Sequence, residues 1–177
     1  ATDRRSPGIL IEDQAIEGRV GNAIAARYEK GSMYVNVNSY NRRVLLTGEV
    51  RNEADKAEVE KLAAAQENVR AVVNELHVGE LSTFANRNND TAITGKVRAA
   101  ILNERNLPSN AMLVHTSRSV VYLMGRVSEP EGELAGRTAS RVDGVRRVVK
   151  LFEYLTEAEW NALKAQSPPP PPESQRK

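Results

Sequence analysis

The chain contains one seven-residue stretch twice. VLLTGEV at 44–50 returns as VYLMGRV at 121–127, with apolar residues, glycine and final valine in the same places. Each copy reads as a strand, short and rich in branched or large apolar residues. A glycine weakens a strand interior, so Gly48 and Gly125 imply a bulge or a close neighbour at that point. The flanking residues repeat as well. Asp13, Ala15, Ile16, Gly18, Val20, Ala23 and Ile24 are answered by Asp90, Ala92, Ile93, Gly95, Val97, Ala100 and Ile101. A repeat of this length means one small unit used twice, and 177 residues are comfortable for two such units. With aromatics at 5%, the cores must be built from Val, Leu, Ile and Ala.

Within the unit the periodicity predicts helix, strand, strand, helix, strand. Residues 1–12 carry Pro7 and Gly8 without periodicity and are expected to be a flexible leader. From Asp13 a helical face forms with Ile16, Val20 and Ile24, ended by Lys30, Gly31 and Ser32. Val35 and Val37 alternate with Asn36 and Asn38 as a half-exposed strand, and 39–42 turn the chain into the Gly48 strand. Asn52 offers an N-cap to a helix over 53–66, and Asn68 suits a left-handed helix exit. A third strand covers 69–78. Residues 81–89 read as a polar connector. The second unit then has strands at 112–116 and 120–127, a Ser128–Glu131 capping box, Gly144 in the place of Asn68, and a last strand at 145–151. The offset falls from 77 to 76 around the second helix, so one residue has been lost there.

The expected fold class is therefore α+β, two αββαβ modules at 13–80 and 90–152, each a three-stranded mixed sheet with two helices on one face. The third strand runs parallel to the second through a helical crossover; the spacing leaves open which edge it takes. Beyond 152, Thr156 is placed to cap a short helix with Trp160, which together with Tyr154 and Leu155 is expected to dock on the second module, with contact to a lipid interface as the alternative. Pro168 to Pro172 are expected to be an extended polyproline segment, a stiff spacer or docking tail.

Charge separates the two modules. Residues 13–80 hold nine Lys and Arg against eleven Asp and Glu, whereas 90–152 hold ten against six. The second module is the one suited to an anionic surface. Enzymatic constellations are weak. There is no cysteine, hence no thiolate nucleophile or Cys-type metal site. The two histidines, His77 and His115, fall at non-equivalent strand positions and read as structural. Gly95-Lys96 lacks the earlier glycine of a phosphate loop, because Asp90 holds that place. Glu58 with Glu60, and Glu131 with Glu133, read as the wetted faces of helices. No apolar run reaches the ~18 residues of a membrane-spanning helix. Interleaved aromatics for nucleic acid are also missing.

The two copies of the Gly48 strand, VRAVVN at 69–74, TGKVR at 94–98 and GVRRV at 144–148 resemble the tandem BON-domain proteins. The likeness is to the dual BON-domain outer-membrane lipoproteins (DolP type), with OsmY as a related member, and covers about residues 13–152. It implies the αββαβ fold and a non-enzymatic periplasmic protein held at the outer membrane by an N-terminal lipid outside this cysteine-free chain. It further implies a role in envelope integrity; no cofactor or metal is expected, and the chain is expected to be a monomer. The implied ligand is anionic phospholipid, met through the first helix of the second module. Carried over, the lipid-binding residues are Thr91, Ala92, Lys96, Arg98 and Arg105, with Ala92 standing where a large aromatic is expected. Gly48, Gly125 and Gly144 are the structural glycines. A structural adaptor for an envelope protein complex is the alternative.

Overall fold

The structure is a computed structural model and describes residues 3–166. The first module runs α1 (Pro7–Arg27), β1 (Tyr34–Tyr40), β2 (Arg43–Val50), α2 (Glu53–Ala64), β3 (Ala71–Asn74) and β4 (His77–Val78). The second runs α3 (Phe84–Asn103), β5 (Met112–Ser117), β6 (Val120–Val127), α4 (Glu129–Ser140) and β7 (Arg147–Tyr154), followed by α5 (Glu157–Gln166). A single 3-10 turn, Ser109–Ala111, leads into β5. The chain is thus α+β with the αββαβ order repeated.

In each sheet the second strand is central. β2 lies antiparallel to β1 and parallel to β3 and β4; β6 lies antiparallel to β5 and parallel to β7. The third strand therefore takes the edge beside β2 or β6, the point the spacing left open. In the first module it is interrupted after Asn74, whose side chain accepts from Leu76 N at 3.2 Å and donates to Lys56 O at 3.0 Å. Leu76 is thereby turned into the core. The residue missing from the second repeat was lost from the loop before the second helix: Arg51 and Asn52 separate β2 from α2, whereas Ser128 alone separates β6 from α4.

Two helices begin earlier than the periodicity predicts. The leader expected over 1–12 contains the first turns of α1, because Ser6 caps the helix, accepting from Ile9 N at 3.2 Å, and Pro7 occupies the first turn, where its missing N–H is harmless. The connector expected over 81–89 is likewise mostly helix, with Thr83 Oγ1 accepting from Asn86 N at 3.1 Å. The Asn52 and Thr156 caps and the Ser128–Glu131 capping box form as expected. The polyproline stretch lies outside the described residues.

Each β-hairpin closes through two residues at positive φ, Asn41 (50°) and Arg42 (63°), and Arg118 (53°) and Ser119 (63°). Paired left-handed residues match the twist of the flanking strands, but here neither is glycine. The carboxylate at the equivalent place in each first helix stabilises them. Asp13 accepts from Asn41 N and Arg42 N at 2.8 and 2.7 Å, and Asp90 from Arg118 N and Ser119 N at 3.0 and 2.9 Å. The recurrence of Asp13 as Asp90 is thus a hairpin lock. Gly48 and Gly125 serve close backbone approach: a Cβ would lie 1.9 Å from Tyr34 O at the first and 2.5 Å from Ala111 O at the second.

Packing uses both faces of both sheets. Val44, Leu46 and Val50 of β2 face α1 and α2, meeting Ile16, Val20, Ile24, Val59 and Ala63. Val121, Leu123 and Val127 of β6 face α3 and α4 in the same way. The alternate residues, Leu45 on β2 and Val120, Tyr122 and Met124 on β6, form a third core between the sheets together with Tyr40. The order of layers is helices, sheet, sheet, helices. Each fully buried Leu or Val here contributes about 1.5–3 kcal/mol, so the modules are joined by a true hydrophobic seam. An N-terminal clasp reinforces it. Arg5 binds Asp13 at 3.0 Å and lies over the Tyr40 ring, while Arg4 reaches Glu131 at 2.8 and 3.0 Å and Arg126 O at 2.9 Å. Burial would raise the Glu131 carboxyl, but the Arg4 guanidinium and the Ser128 cap outweigh it and hold it below the usual range. Trp160 of α5 docks under the same Arg4 guanidinium, 5.7 Å from its ring centre.

Candidate functional site

The candidate residues sit on and just beyond α3. Its inward face is set by Ile93, Val97 and Ile101, all buried. At 100° per residue the opposite face carries Phe84, Thr91, Gly95 and Leu102 within about 40° of one another. Phe84 is 79% exposed at one end of this ridge and Leu102 69% exposed at the other. The separation of eighteen residues is about 27 Å along the axis. Small residues, Thr91, Ala92, Gly95 and Ala99, lie between them, and all four are exposed.

The structure places Thr91 and Ala92 on this ridge but does not bring the cations together. Lys96 and Arg98 are two positions apart, hence about 160° apart around the helix, and flank the ridge on opposite sides. Arg98 leans over the edge strand, its Nη2 3.5 Å from Val114 O. Arg105 follows the C-cap Glu104, exposed in the loop before β5. The site is therefore an apolar ridge with cations along both sides. The one carboxylate within α3, Asp90, is committed to the hairpin lock. Gly48 and Gly144 adopt positive φ, 116° and 91°.

The sequence pattern does not single out Phe84 and Leu102. A connector over 81–89 leaves Phe84 outside the helix, although Thr83 followed by Asn86 is a legible cap. With the helix extended to Phe84, an exposed aromatic stands at its beginning, two turns before Ala92.

Most of the other chemistry-bearing groups that the sequence offers are occupied structurally; His77, by contrast, is exposed. His115 lies between the sheets, its Nε2 2.8 Å from Thr47 Oγ1. Burial, with Arg98 adding, pulls its imidazole down to about 4. Glu133 holds Lys150 at 2.8 Å, and Glu131 completes the cap and clasp. Among the described residues no three His, Asp or Glu side chains come together as a metal site. Nor is any helix long and apolar enough to cross a membrane.

Comparison with known proteins meets this geometry from another side. The BON domain family model matches the chain twice, over residues 12–80 and 89–156. The chain is 35% identical to the outer membrane lipoprotein DolP of Haemophilus influenzae, over 88% of its own length and 81% of that protein's. It is 29% identical to a 21 kDa hemolysin of Actinobacillus pleuropneumoniae, over 86% and 79%. It is also 32% identical to the osmotically-inducible protein Y of Escherichia coli, over 80% and 72%.

Proposed function

The chain belongs to the BON-domain family, and on that premise we propose that it is a non-enzymatic protein of the bacterial envelope that binds anionic phospholipid surfaces through the outward ridge of α3. The observation that carries this reading is the pairing of exposed Phe84 and Leu102 on a helix flanked by Lys96 and Arg98. An amphipathic helix lies in a membrane interface when an exposed apolar face is bordered by cations. Basic residues near an anionic surface contribute about 1 kcal/mol each, so a few of them with two apolar side chains give weak, salt-sensitive attachment. The likeness to an outer membrane lipoprotein supports a place on the periplasmic side of the outer membrane, held by a lipid at the N-terminus, and a part in envelope integrity.

Flotation of the full chain with phosphatidylglycerol or phosphatidylcholine vesicles tests this. Binding is expected with the first alone, declining at high salt, and weakened by Lys96→Glu with Arg98→Glu or by Phe84→Ser with Leu102→Ser. All four side chains are exposed, so the variants should melt like the parent. Equal flotation with both lipids, or none with phosphatidylglycerol, overturns the reading. In the second case, pull-down of an envelope protein without lipid favours the adaptor.

A further inference from the structure

The ion pair between Arg70 and Glu153, which joins the modules, has a counterpart generated by the repeat. Asn41 Nδ2 also donates to Glu153, at 2.8 Å, so the turn and third strand of the first module close on a carboxylate from the end of β7. At the repeat offsets of 76 and 77, Arg146 stands for Arg70, Arg118 for Asn41, Arg147 for Ala71 and His77 for Glu153. These four do meet, lining a cavity of ≈ 360 Å³ between the modules. One copy gathers its donors on a carboxylate; the other gathers three guanidiniums and an imidazole.

The backbone fixes this cluster. Asp90 holds Arg118 N, Arg146 N donates to Ser119 O at 2.8 Å, and Arg147 pairs with Val120 at the start of β7. Among the described residues none of the three arginines is in an ion pair. Glu75 is the single carboxylate in the lining. Three guanidiniums lining one cleft suit a tetrahedral oxyanion, which accepts several N–H donors at once.

We propose that this cleft is an anion site for a phosphate group, taken up by Arg118, Arg146 and Arg147 where the other copy uses Glu153. It is separate from the α3 ridge and does not rest on the lipid reading. The phosphate is that of a lipid headgroup or of a soluble compound, and the test distinguishes them.

Titration of the full chain with inorganic phosphate and pyrophosphate at low salt, followed by amide NMR, should shift Arg118, Ser119, Arg146 and Arg147. His77→Glu installs the carboxylate of the other copy and should weaken binding at least tenfold, while Ala57→Glu, an equal charge change on exposed α2, leaves it within twofold. Arg146→Glu with Arg147→Glu is then floated with phosphatidylglycerol vesicles. Lost flotation identifies a lipid headgroup; retained flotation alongside phosphate binding by the parent identifies a soluble ligand. The proposal falls if phosphate moves none of the four amides and flotation is unchanged, or if His77→Glu binds like the parent. Failure of the Lys96 and Arg98 variants alone bears only on the ridge.

Discussion

His115 ties the stability of the inter-sheet seam to pH. Its imidazole lies against Thr47 of the opposite sheet and near Arg98, and burial holds it from the ordinary 6.5 down to about 4. Between these two values the unfolded chain binds the proton and the folded chain does not, so stability falls as pH falls through the window. Above about 6.5 the effect is absent, and below about 4 it has reached its full size. At 1.36 kcal/mol per unit, a displacement from 6.5 to about 4 amounts to roughly 3 kcal/mol. The perturbation that isolates it is His115→Asn, which installs the residue found at the equivalent place in the first module, Asn38. Urea unfolding of both proteins from pH 7.5 to 3.5 is the assay. Carboxylates held low, such as Glu131 and Asp3, titrate in both proteins and cancel in the difference. The parent should lose about 3 kcal/mol more than the variant between pH 7 and 4. A difference that stays flat within about 1 kcal/mol across that window would falsify the argument, because a buried, neutral His115 requires it.

Other substitutions probe the remaining joints. Leu45→Ala empties part of the core between the sheets and should cost about 2–5 kcal/mol in urea unfolding, with faster amide exchange at Tyr122 and Met124 across the seam. Gly48→Ala puts a Cβ into the Tyr34 carbonyl at φ 116° and should lower the melting point sharply, by about 3 kcal/mol or more of stability. Arg4→Ala leaves the buried Glu131 carboxylate without its partner and should cost about 3 kcal/mol, with a red shift of Trp160 emission as α5 loosens. Ser128→Ala removes one half of the capping box and should cost about 1 kcal/mol.

The repeat made the element order legible because each unit confirms the other: a weak signal such as Gly132 and Gly136 inside α4 is outvoted by its counterpart in α2. The helix starts were missed for a local reason. Pro7-Gly8 reads as a breaker, yet a proline just after a capping serine is also a favourable helix opening. The seam between the sheets was half-written in the strands. Val44, Leu45 and Leu46 in succession, and Val120 through Met124, are continuous apolar runs, the pattern of a strand buried on both faces. What such a run does not specify is the partner, and only the fold shows that each sheet covers the other. At the candidate site, the opposite placement of Lys96 and Arg98 follows from their spacing. The meeting of Arg118 with Arg146 and Arg147 depends on a turn and a strand end far apart in the chain, and no local pattern announces it.

Duplication also bears on why the two first helices carry unequal charge. With the sheets back to back, the two helix pairs face outward in opposite directions, so a flat surface meeting one module cannot meet the other in the same orientation. The pressures on α1 and α3 therefore differ. α1 carries Glu12, Asp13 and Glu17 against Arg19 and Arg27, whereas α3 carries Asp90 alone against Arg87, Lys96 and Arg98. The aspartate at the hairpin lock is kept in both because the fold needs it; the carboxylates outside the lock are those that differ. A protein that met membranes through both modules would lack this asymmetry. Reversing it within the first helices gives the corresponding test: Glu12→Lys in α1, which also removes the acceptor of Arg19 and Asn68, should leave vesicle flotation unchanged, although it adds positive charge to the whole chain, while Lys96→Glu should reduce it. Equal and opposite effects from the two would mean that net charge governs attachment and that the orientation of the layers does not.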